Sequence, residues 1–301
     1  MIRLGKSLQP PRVELHLLQV GHCRHPEWVT IRGGRWRAID FPALVALILH
    51  PSFGPILYDT GYADRFEAAT EPFPERLYRW LTPVRLPAEE RLASQLGRYG
   101  LRPEDVERVL ISHLHADHVA GLRDLPRADF MALEADVASQ LGGAGRSDWK
   151  SSLRALRQGV LPALLPPDFG SRLTLADGRP AVDLGPSWAP FERGYDLLGD
   201  RSLIGIPLPG HSPAQLGVLL RTQEDRRVLL AADACWSARA WREQRMPSSL
   251  ARLIFDDWHA YRRTLGGLHQ IAARQPDLAI VPSHCAETLA EFAERRGDGH
   301  A

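Results

Sequence analysis

Cysteine and lysine are both scarce in this sequence of 301 residues. The three cysteines, Cys23, Cys235 and Cys285, are far apart, and an odd number of distant cysteines gives no disulfide framework. Only Lys6 and Lys150 are lysines among the 37 basic residues, and the arginines are spread along the whole chain. A disulfide-stapled scaffold is therefore excluded, and no basic cluster indicates phosphate binding.

Long apolar runs are lacking as well. No segment approaches the roughly 18 consecutive apolar residues of a membrane-spanning helix. The stretch from Met1 to Pro11 has basic residues but neither the apolar segment nor the cleavage site of a secretory signal. A formal net charge of only +1 favours neither nucleic acid nor an anionic membrane surface as a partner. We expect a cytoplasmic protein, and its 44% hydrophobic content is sufficient for one large domain.

Side chains that bind metals are concentrated in one stretch, Ile111 to Gly121. Three histidines and an aspartate fall within six positions there, directly after an apolar segment that predicts a buried strand. His113 and His115 alternate, so an extended backbone points both imidazoles the same way, whereas Asp117 and His118 need a turn to face a second position. Neutral imidazole and carboxylate suit a divalent ion such as zinc. The stretch predicts a metal site at the end of a strand.

Further polar residues occur in similar contexts elsewhere, each after a predicted strand or in a Pro-Gly loop. They are Asp59 before Thr60-Gly61, His211 after Pro209-Gly210, Asp233 after Ala231-Ala232, and His284 after Val281-Pro282-Ser283. With the H-x-H-x-D-H motif, these elements resemble the metallo-β-lactamase superfamily in type and order, from about Val13 to about Arg296. The resemblance implies a single α/β (α+β) domain over residues 1–301, a four-layer αββα sandwich of two facing sheets with helices outside.

The resemblance also implies two metal ions, one held by His113, His115 and His211, the other by Asp117, His118 and His284, with Asp233 bridging. Ions roughly 3.5 to 4 Å apart with open positions can produce a bridging hydroxide that attacks an ester or lactone carbonyl. We expect two divalent ions, zinc first, with iron or manganese as alternatives. Asp117 and Asp233 are the predicted catalytic carboxylates, with Asp233 taking the hydroxide proton to the leaving group. Asp59 is predicted to orient a ligand histidine.

Within the superfamily the chain looks most like the N-acyl homoserine lactonases. The motif order, the 22 positions from His211 to Asp233, and the segment Leu198 to Leu203 carry that resemblance. Those lactonases commonly place a tyrosine three residues after the bridging aspartate to hydrogen-bond the substrate carbonyl. Trp236 stands there in this chain, and its indole N–H donates but cannot give up a proton. Trp236 is thus a candidate for the pocket or for support of the metal ligands.

Two regions are candidates for the substrate pocket. The segment Gly21 to Pro26 is predicted to be a loop in which His22 and His25 either line the pocket or are simply polar. The stretch of about 142–200 is predicted to be a variable insertion that either caps the site or packs on the scaffold or on a partner subunit. Its apolar residues favour a small-molecule substrate with an acyl or aromatic part, and a homodimer is a further expectation.

Other functions fit the same residues less well but stay open. The same hydroxide would attack phosphorus, which gives a phosphodiesterase or phosphotriesterase. A mononuclear iron dioxygenase would use the same scaffold, but the complete set of Asp117, His118 and His284 argues against a mononuclear version. A non-catalytic metal-binding protein on the same scaffold is a further alternative.

Hydrophobic periodicity and breakers predict the main elements. A hairpin is expected at Ala43 to His50 and Ile56 to Tyr58, and strands at Val13 to Val20, Val106 to Ile111, Ala128 to Leu133, Ser202 to Leu208, Leu216 to Thr222, Arg227 to Ala232 and Asp277 to Pro282. Helices are expected at Ala88 to Tyr99, Glu134 to Leu141, Trp149 to Leu161, Asp256 to Arg274 and Ala286 to Arg295.

Overall fold

The computed structural model describes residues 9–141, 153 and 155–297. Their strands form two mixed sheets. The first sheet has the order β4-β1-β2-β3-β5-β6-β7, in which β1 to β4 pair antiparallel and β3, β5, β6 and β7 run parallel. Its strands are β1 Glu14–Pro26, β2 Ala38–His50, β3 Gly54–Tyr58, β4 Val84–Arg85, β5 Arg108–Leu110, β6 Asp129–Ala132 and β7 Leu173–Leu175.

The second sheet has the order β13-β12-β11-β10-β9-β8, antiparallel throughout except for the parallel pair of β12 and β13. Its strands are β8 Ala181–Asp183, β9 Arg193–Asp196, β10 Leu203–Pro207, β11 Leu216–Arg221, β12 Arg227–Ala232 and β13 Leu278–Pro282. The predicted insertion at about 142–200 therefore supplies the edge strand β7 of the first sheet and the edge strand β8 of the second.

Helices lie outside the sheets. The α-helices are α1 Glu27–Thr30, α2 Arg65–Ala69, α3 Arg76–Leu81, α4 Leu92–Gly97, α5 Ala116–Val119, α6 Glu134–Leu141, α7 Ala238–Arg242, α8 Trp258–Arg274 and α9 Ala286–Gly297. Short 3₁₀ helices occur at Ala88–Glu90, Pro103–Asp105, Leu122–Asp124, Pro162–Leu164, Phe169–Ser171, Ala176–Gly178, Pro186–Trp188 and Ser249–Ile254. Across the residues described, no helix is long and apolar enough to cross a membrane.

The core has three layers because the inner strands are apolar on both faces. On β2, Ala46 and Ile48 face the space between the sheets, while Val45 and Leu47 face the outer layer that contains α4 and α5. On the second sheet, the outer face packs against α8, whose stripe of Tyr261, Leu265 and Leu268 is buried as predicted. The arrangement confirms the predicted two-sheet sandwich with helices outside.

Three local predictions need correction or fall partly outside the description. Gly21 to Pro26 is not a loop, because an irregularity between Gln19 and His22 lets β1 continue its pairing with β2 to Pro26. The predicted helix from Ala88 to Tyr99 is broken into a 3₁₀ turn and the short α4, since Arg91 is extended at φ −61° and ψ 143°. Part of the predicted helix from Trp149 to Leu161, residues 149–152 and 154, lies outside the described residues, and the described part is helical only to residue 157.

Candidate metal centre

Strand ends from both sheets meet at one edge of the sandwich, and the predicted ligands lie there. His113 and Asp59 follow β5 and β3, which are parallel neighbours in the first sheet. Asp233 and His284 follow β12 and β13, the parallel pair of the second sheet. Parallel strands end at the same edge of a sheet, so the topology brings together residues that are up to 225 positions apart.

The predicted turn within the histidine motif is a single helical turn. His115 has an extended backbone and caps α5, and the backbone N–H of His118 donates to the carbonyl of His115 at 3.0 Å. The change from extended to helical backbone lets Asp117 and His118 lie together near His284, while His113 and His115 lie near His211. The motif can therefore serve two adjacent positions.

The ligand atoms fall into three overlapping groups, in each of which all atoms lie within 4.8 Å of one another. The groups are His113, His115 and His211; His113, His118 and Asp233; and Asp117, His118 and His284. The seven residues predicted from the motifs thus lie together in one cluster.

Asp233 lies between the two outer groups. Its Oδ2 atom is 3.2 Å from Nε2 of His211, whereas its Oδ1 atom is 3.2 Å from Nε2 of His284 and 3.5 Å from Nε2 of His118. Each carboxylate oxygen therefore faces a different group of histidines. On the far side of that second group, Asp117 Oδ2 is 3.3 Å from Nε2 of His284.

Several buried atoms in the cluster have no hydrogen-bond partner among the described residues. They include Nε2 of His113, Nε2 of His118 and Oδ1 of Asp233. A buried polar atom without a partner costs free energy, and native structures rarely tolerate several in one place. Divalent metal ions would satisfy these lone pairs, so the donor set fits the ions that the sequence predicts.

The opposite ring nitrogens of three histidines are held by oxygen atoms of the protein. Nδ1 of His118 is 2.8 Å from Asp59 Oδ2, Nδ1 of His284 is 2.8 Å from the carbonyl of Pro42, and Nδ1 of His113 is 2.9 Å from Ser112 Oγ. When Nδ1–H donates to oxygen, Nε2 keeps its lone pair for a metal. Asp59 also accepts the N–H of Ser112 at 2.8 Å, which ties the two strand ends together.

The pKa values divide the histidines into two classes. Burial, followed by neighbouring imidazoles, holds the pKa of His113 and His115 well below 6.5, so both are neutral. Burial also lowers the pKa of His118, but Asp117, Asp59 and Asp233 together outweigh it and raise that pKa to about 10. Asp233 is buried, which raises its pKa, yet the surrounding histidines lower the pKa well below 3.8. The bridging position thus holds a carboxylate at neutral pH.

His22 and His25, although three residues apart on β1, have different surroundings. Nδ1 of His22 is 3.0 Å from Oε2 of Glu90, and His22 belongs to none of the ligand groups. His25 lies near His284, and burial together with His284 lowers the pKa of His25. His25 thus interacts electrostatically with a predicted ligand.

Trp236 lies beside the cluster, in direct contact with a predicted ligand. Its indole Nε1 donates to Asp233 Oδ2 at 2.9 Å, and its ring packs against His211 and Phe255 with centroid distances of 5.7 and 5.2 Å. The contact between the indole and the aspartate is not apparent from sequence, because a spacing of three residues specifies no hydrogen bond in a turn.

A cavity of about 220 Å³ opens beside the part of the cluster that contains His115 and His211. Its walls include His115 and His211, an apolar side from the 3₁₀ segment Ser249–Ile254 and the adjoining Phe255, and Arg157 and Gln158 from the predicted insertion. The isolated bridge between His115 and Val160 holds that part of the insertion against the histidine motif. The cavity thus combines polar and apolar walls next to the predicted metal ligands.

Sequence reasoning missed Asp136, a buried carboxylate on α6. It accepts the backbone N–H of Gln215 at 2.7 Å and that of Ala214 at 3.3 Å, and so anchors the loop that carries His211. Burial raises the pKa of Asp136 to about 6. The only signal in the sequence was an acidic residue on the inward side of a short amphipathic helix, which is too common to single out.

Comparison with known proteins identifies the family. Residues 42–284, most of the chain, match the family model described as the metallo-beta-lactamase superfamily. An N-acyl homoserine lactonase AttM from Rhizobium radiobacter is 26% identical over 290 residues, which cover 93% of this chain and 96% of the relative. The N-acyl homoserine lactonase AiiB of Agrobacterium fabrum is 25% identical and covers 85% of this chain and 84% of its own length.

Solved structures show the same fold. A mutant of Bacillus thuringiensis AiiA with N-decanoyl-L-homoserine bound at its active site superposes with a TM-score of 0.67 at 17% identity, covering 94% of this chain and 97% of that one. AidC, described as a dizinc quorum-quenching lactonase, gives a TM-score of 0.61 at 16% identity, with 94% and 90% covered. The chain therefore belongs to the metallo-β-lactamase superfamily and is a metal-dependent hydrolase of its lactonase-like group.

Proposed function

We propose that this protein hydrolyses lactones, with N-acyl homoserine lactones as the substrate class, at a centre of two divalent metal ions. The observation that carries the proposal is the position of Asp233, whose two carboxylate oxygens face two separate groups of histidines. Such a carboxylate can bridge two ions, whereas a structural zinc site is closed by four ligands. The names of the curated relatives support the substrate class.

We propose zinc as the metal, with iron or manganese as alternatives, because the donors are imidazole nitrogens and carboxylate oxygens. His113, His115 and His211 would hold one ion, and Asp117, His118 and His284 the other, with Asp233 shared. When bound, the ions would supply hydroxide at neutral pH and polarise the substrate carbonyl. Asp59, Pro42 and Ser112 keep the ligand rings in place through the opposite nitrogens.

The proposed reaction opens the lactone ring by hydrolysis. A new bond forms between the carbonyl carbon and the oxygen of water, and the bond from that carbon to the ring oxygen breaks. One proton of the water passes to the departing ring oxygen, which leaves a hydroxy acid. Asp233 is proposed to transfer this proton, because it is a carboxylate that lies between the two groups of histidines that would hold the ions.

The acyl group of the substrate is proposed to occupy the cavity beside His115 and His211. Leu253, Ile254 and Phe255 give it an apolar wall, and the stretch 142–200 contributes Arg157 and Gln158. We propose that this stretch caps the pocket and selects the acyl group.

The test is turnover of a panel comprising N-acyl homoserine lactones of different acyl lengths, aryl esters, phosphodiesters and phosphotriesters. We expect the lactones to be preferred, with Asp233→Asn retaining some metal yet losing turnover by about 100-fold or more, the range for loss of a general base. Phosphodiester or phosphotriester hydrolysis without lactone hydrolysis would contradict the substrate class. Full activity of Asp233→Asn would remove Asp233 from the proton path.

A further inference from the structure

The side chain of Trp236 has a single hydrogen-bond donor, the indole Nε1–H, which donates to Asp233. The distance to Oδ2 is 2.9 Å, and the indole and the carboxylate are both buried. A charge-assisted hydrogen bond in a buried site is shorter and stronger than one between neutral groups. Indole is only a donor and does not ionise at accessible pH, so this bond persists across the working range of an enzyme.

The lone pairs of Asp233 leave room for both the indole and metal ions. A carboxylate offers about four acceptor sites, two on each oxygen. The indole uses one site on Oδ2, so one site remains on this atom, which lies 3.2 Å from Nε2 of His211. Oδ1 accepts no hydrogen bond from any residue the structure describes and faces His118 and His284.

The structure also prevents the indole from swinging away. Trp236 lies in the turn between β12 and α7, and Ser237 caps α7 by accepting the N–H of Ala240 at 3.2 Å. Phe255 packs against the indole at 5.2 Å and against His211 at 4.9 Å. The indole, His211 and Asp233 are therefore held as one unit.

We propose that Trp236 is a positioning residue for the metal centre and does not contact the substrate carbonyl. Its N–H holds the Asp233 carboxylate so that Oδ2 faces His211 and Oδ1 faces His118 and His284, the two groups that would each hold an ion. This inference rests on the proposed function for the metal ions but not on the choice of substrate. Because the only donor of the indole is engaged, the substrate carbonyl must be polarised by the ions or by other groups.

The test is zinc affinity of the full-length protein, stripped with a chelator and titrated in competition with a chromophoric chelator. Trp236→Phe keeps an aromatic ring against Phe255 and removes the N–H, and we expect zinc affinity to fall about 10- to 100-fold, as for other groups that orient metal ligands. Trp241→Phe is the matched control, because Nε1 of Trp241 is buried without a hydrogen-bond partner among the described residues. This control should keep wild-type affinity.

A second replacement guards against misfolding of the phenylalanine variant. Benzothienylalanine at position 236 replaces the N–H with sulfur at nearly constant size, and should weaken zinc binding as Trp236→Phe does. The KM for any hydrolysed substrate should change by less than about twofold at saturating zinc. Unchanged zinc affinity in the Trp236→Phe and benzothienylalanine proteins would overturn the proposal. If the KM of these two proteins also rose, the indole would instead be assigned to substrate binding. The zinc affinities are measured without turnover, so they test the role of Trp236 even if the proposed substrate class is wrong.

Discussion

Asp59 illustrates how a residue outside the metal ligands can be argued from its backbone as well as its side chain. Its φ is +63°, a conformation that aspartate and asparagine tolerate better than other residues with a side chain. That backbone turns the carboxylate toward Nδ1 of His118 at 2.8 Å and toward the N–H of Ser112 at 2.8 Å. In the Asp-Thr-Gly motif, the backbone of Asp59 thus directs the carboxylate, and the negative charge of the carboxylate stabilises the N–H of His118.

We predict that Asp59→Asn lowers metal affinity about 10- to 100-fold. Asparagine keeps the left-handed backbone, so the loss comes from replacing a carboxylate that stabilises the N–H of His118. Asp225→Asn is the control, because Asp225 also has a positive φ, +67°, but lies on the exposed turn after β11. Competition with a chelator measures both, and equal affinities in the two variants would contradict the role of Asp59.

Asp136 gives a prediction about pH. Its pKa rises from 3.8 in an unfolded chain to about 6 in the folded protein, because burial disfavours the charged form. The folded protein therefore binds the proton more tightly, and the contribution of Asp136 to the free energy of unfolding falls as pH rises from about 4 to 6, by about 3 kcal/mol. Above about pH 6 the carboxyl is ionised in both the folded and the unfolded protein, so its contribution to the free energy of unfolding falls no further.

Urea unfolding of the metal-free protein from pH 4 to 7 measures this effect. The wild type should lose stability relative to Asp136→Asn over that range, because asparagine does not titrate, while changes in hydrogen bonding add only a constant difference. Other titrating groups are common to both proteins and cancel. A difference between the two proteins that does not vary with pH would show that the carboxyl has an ordinary pKa.

The residues of the ligand cluster could be predicted from sequence, but their support could not. His113, His115 and Asp117 are recognisable because imidazole and carboxylate rarely occur at such density without a metal. Asp136 and the donor of Trp236 are single residues of common type, and their roles depend on contacts across 79 and 3 positions that no local pattern encodes.

At the scale of elements, the loop that carries His211 depends on a close approach to α8. The φ of Gly210 is +129°, and a Cβ there would lie 2.1 Å from the backbone nitrogen of Tyr261. The N–H of Asp257, which caps α8, donates to the carbonyl of Gly210 at 3.0 Å. The loop and the helix are therefore fitted together through backbone atoms that cannot move independently.

We predict that Gly210→Ala destabilises the protein by about 3 kcal/mol, at the upper end of the range for overpacking, and weakens metal binding because His211 is displaced. Gly266→Ala, within α8 at a position where an added Cβ would meet nothing within 4 Å, should instead be neutral or stabilise by about 0.5–1 kcal/mol. Thermal or urea unfolding measures both effects. A Gly210→Ala protein as stable as the control would contradict the close packing.

Elements with strong periodicity were predicted well, and those set by distant contacts were not. The strands leading to Asp233 and His284 and the helix α6 lie where the pattern predicts them. The extension of β1 to Pro26 was missed because Gly21, at φ +81°, indicates a turn locally, whereas pairing with β2 continues past it. The extended Arg91 divides the predicted Ala88 to Tyr99 helix in a way that its apolar stripe does not indicate.

For the whole molecule, the sandwich was predictable only through the resemblance of its motifs. Periodicity indicates strands, but it does not give the order β4-β1-β2-β3-β5-β6-β7, in which neighbours such as β3 and β5 are separated by about fifty residues of sequence. That order matters for function, because it brings the ends of β3, β5, β12 and β13 to one edge. The proposed metal ligands thus come from both sheets.

Because both sheets contribute ligands, the central claim is that the cluster holds two ions that act together. The most direct test titrates the chelator-treated protein with zinc, following bound metal by elemental analysis and lactone hydrolysis in the same samples. We predict saturation near two equivalents, with hydrolysis rising as the second equivalent binds. Saturation at one equivalent, or one equivalent of iron without any hydrolysis, would contradict the account.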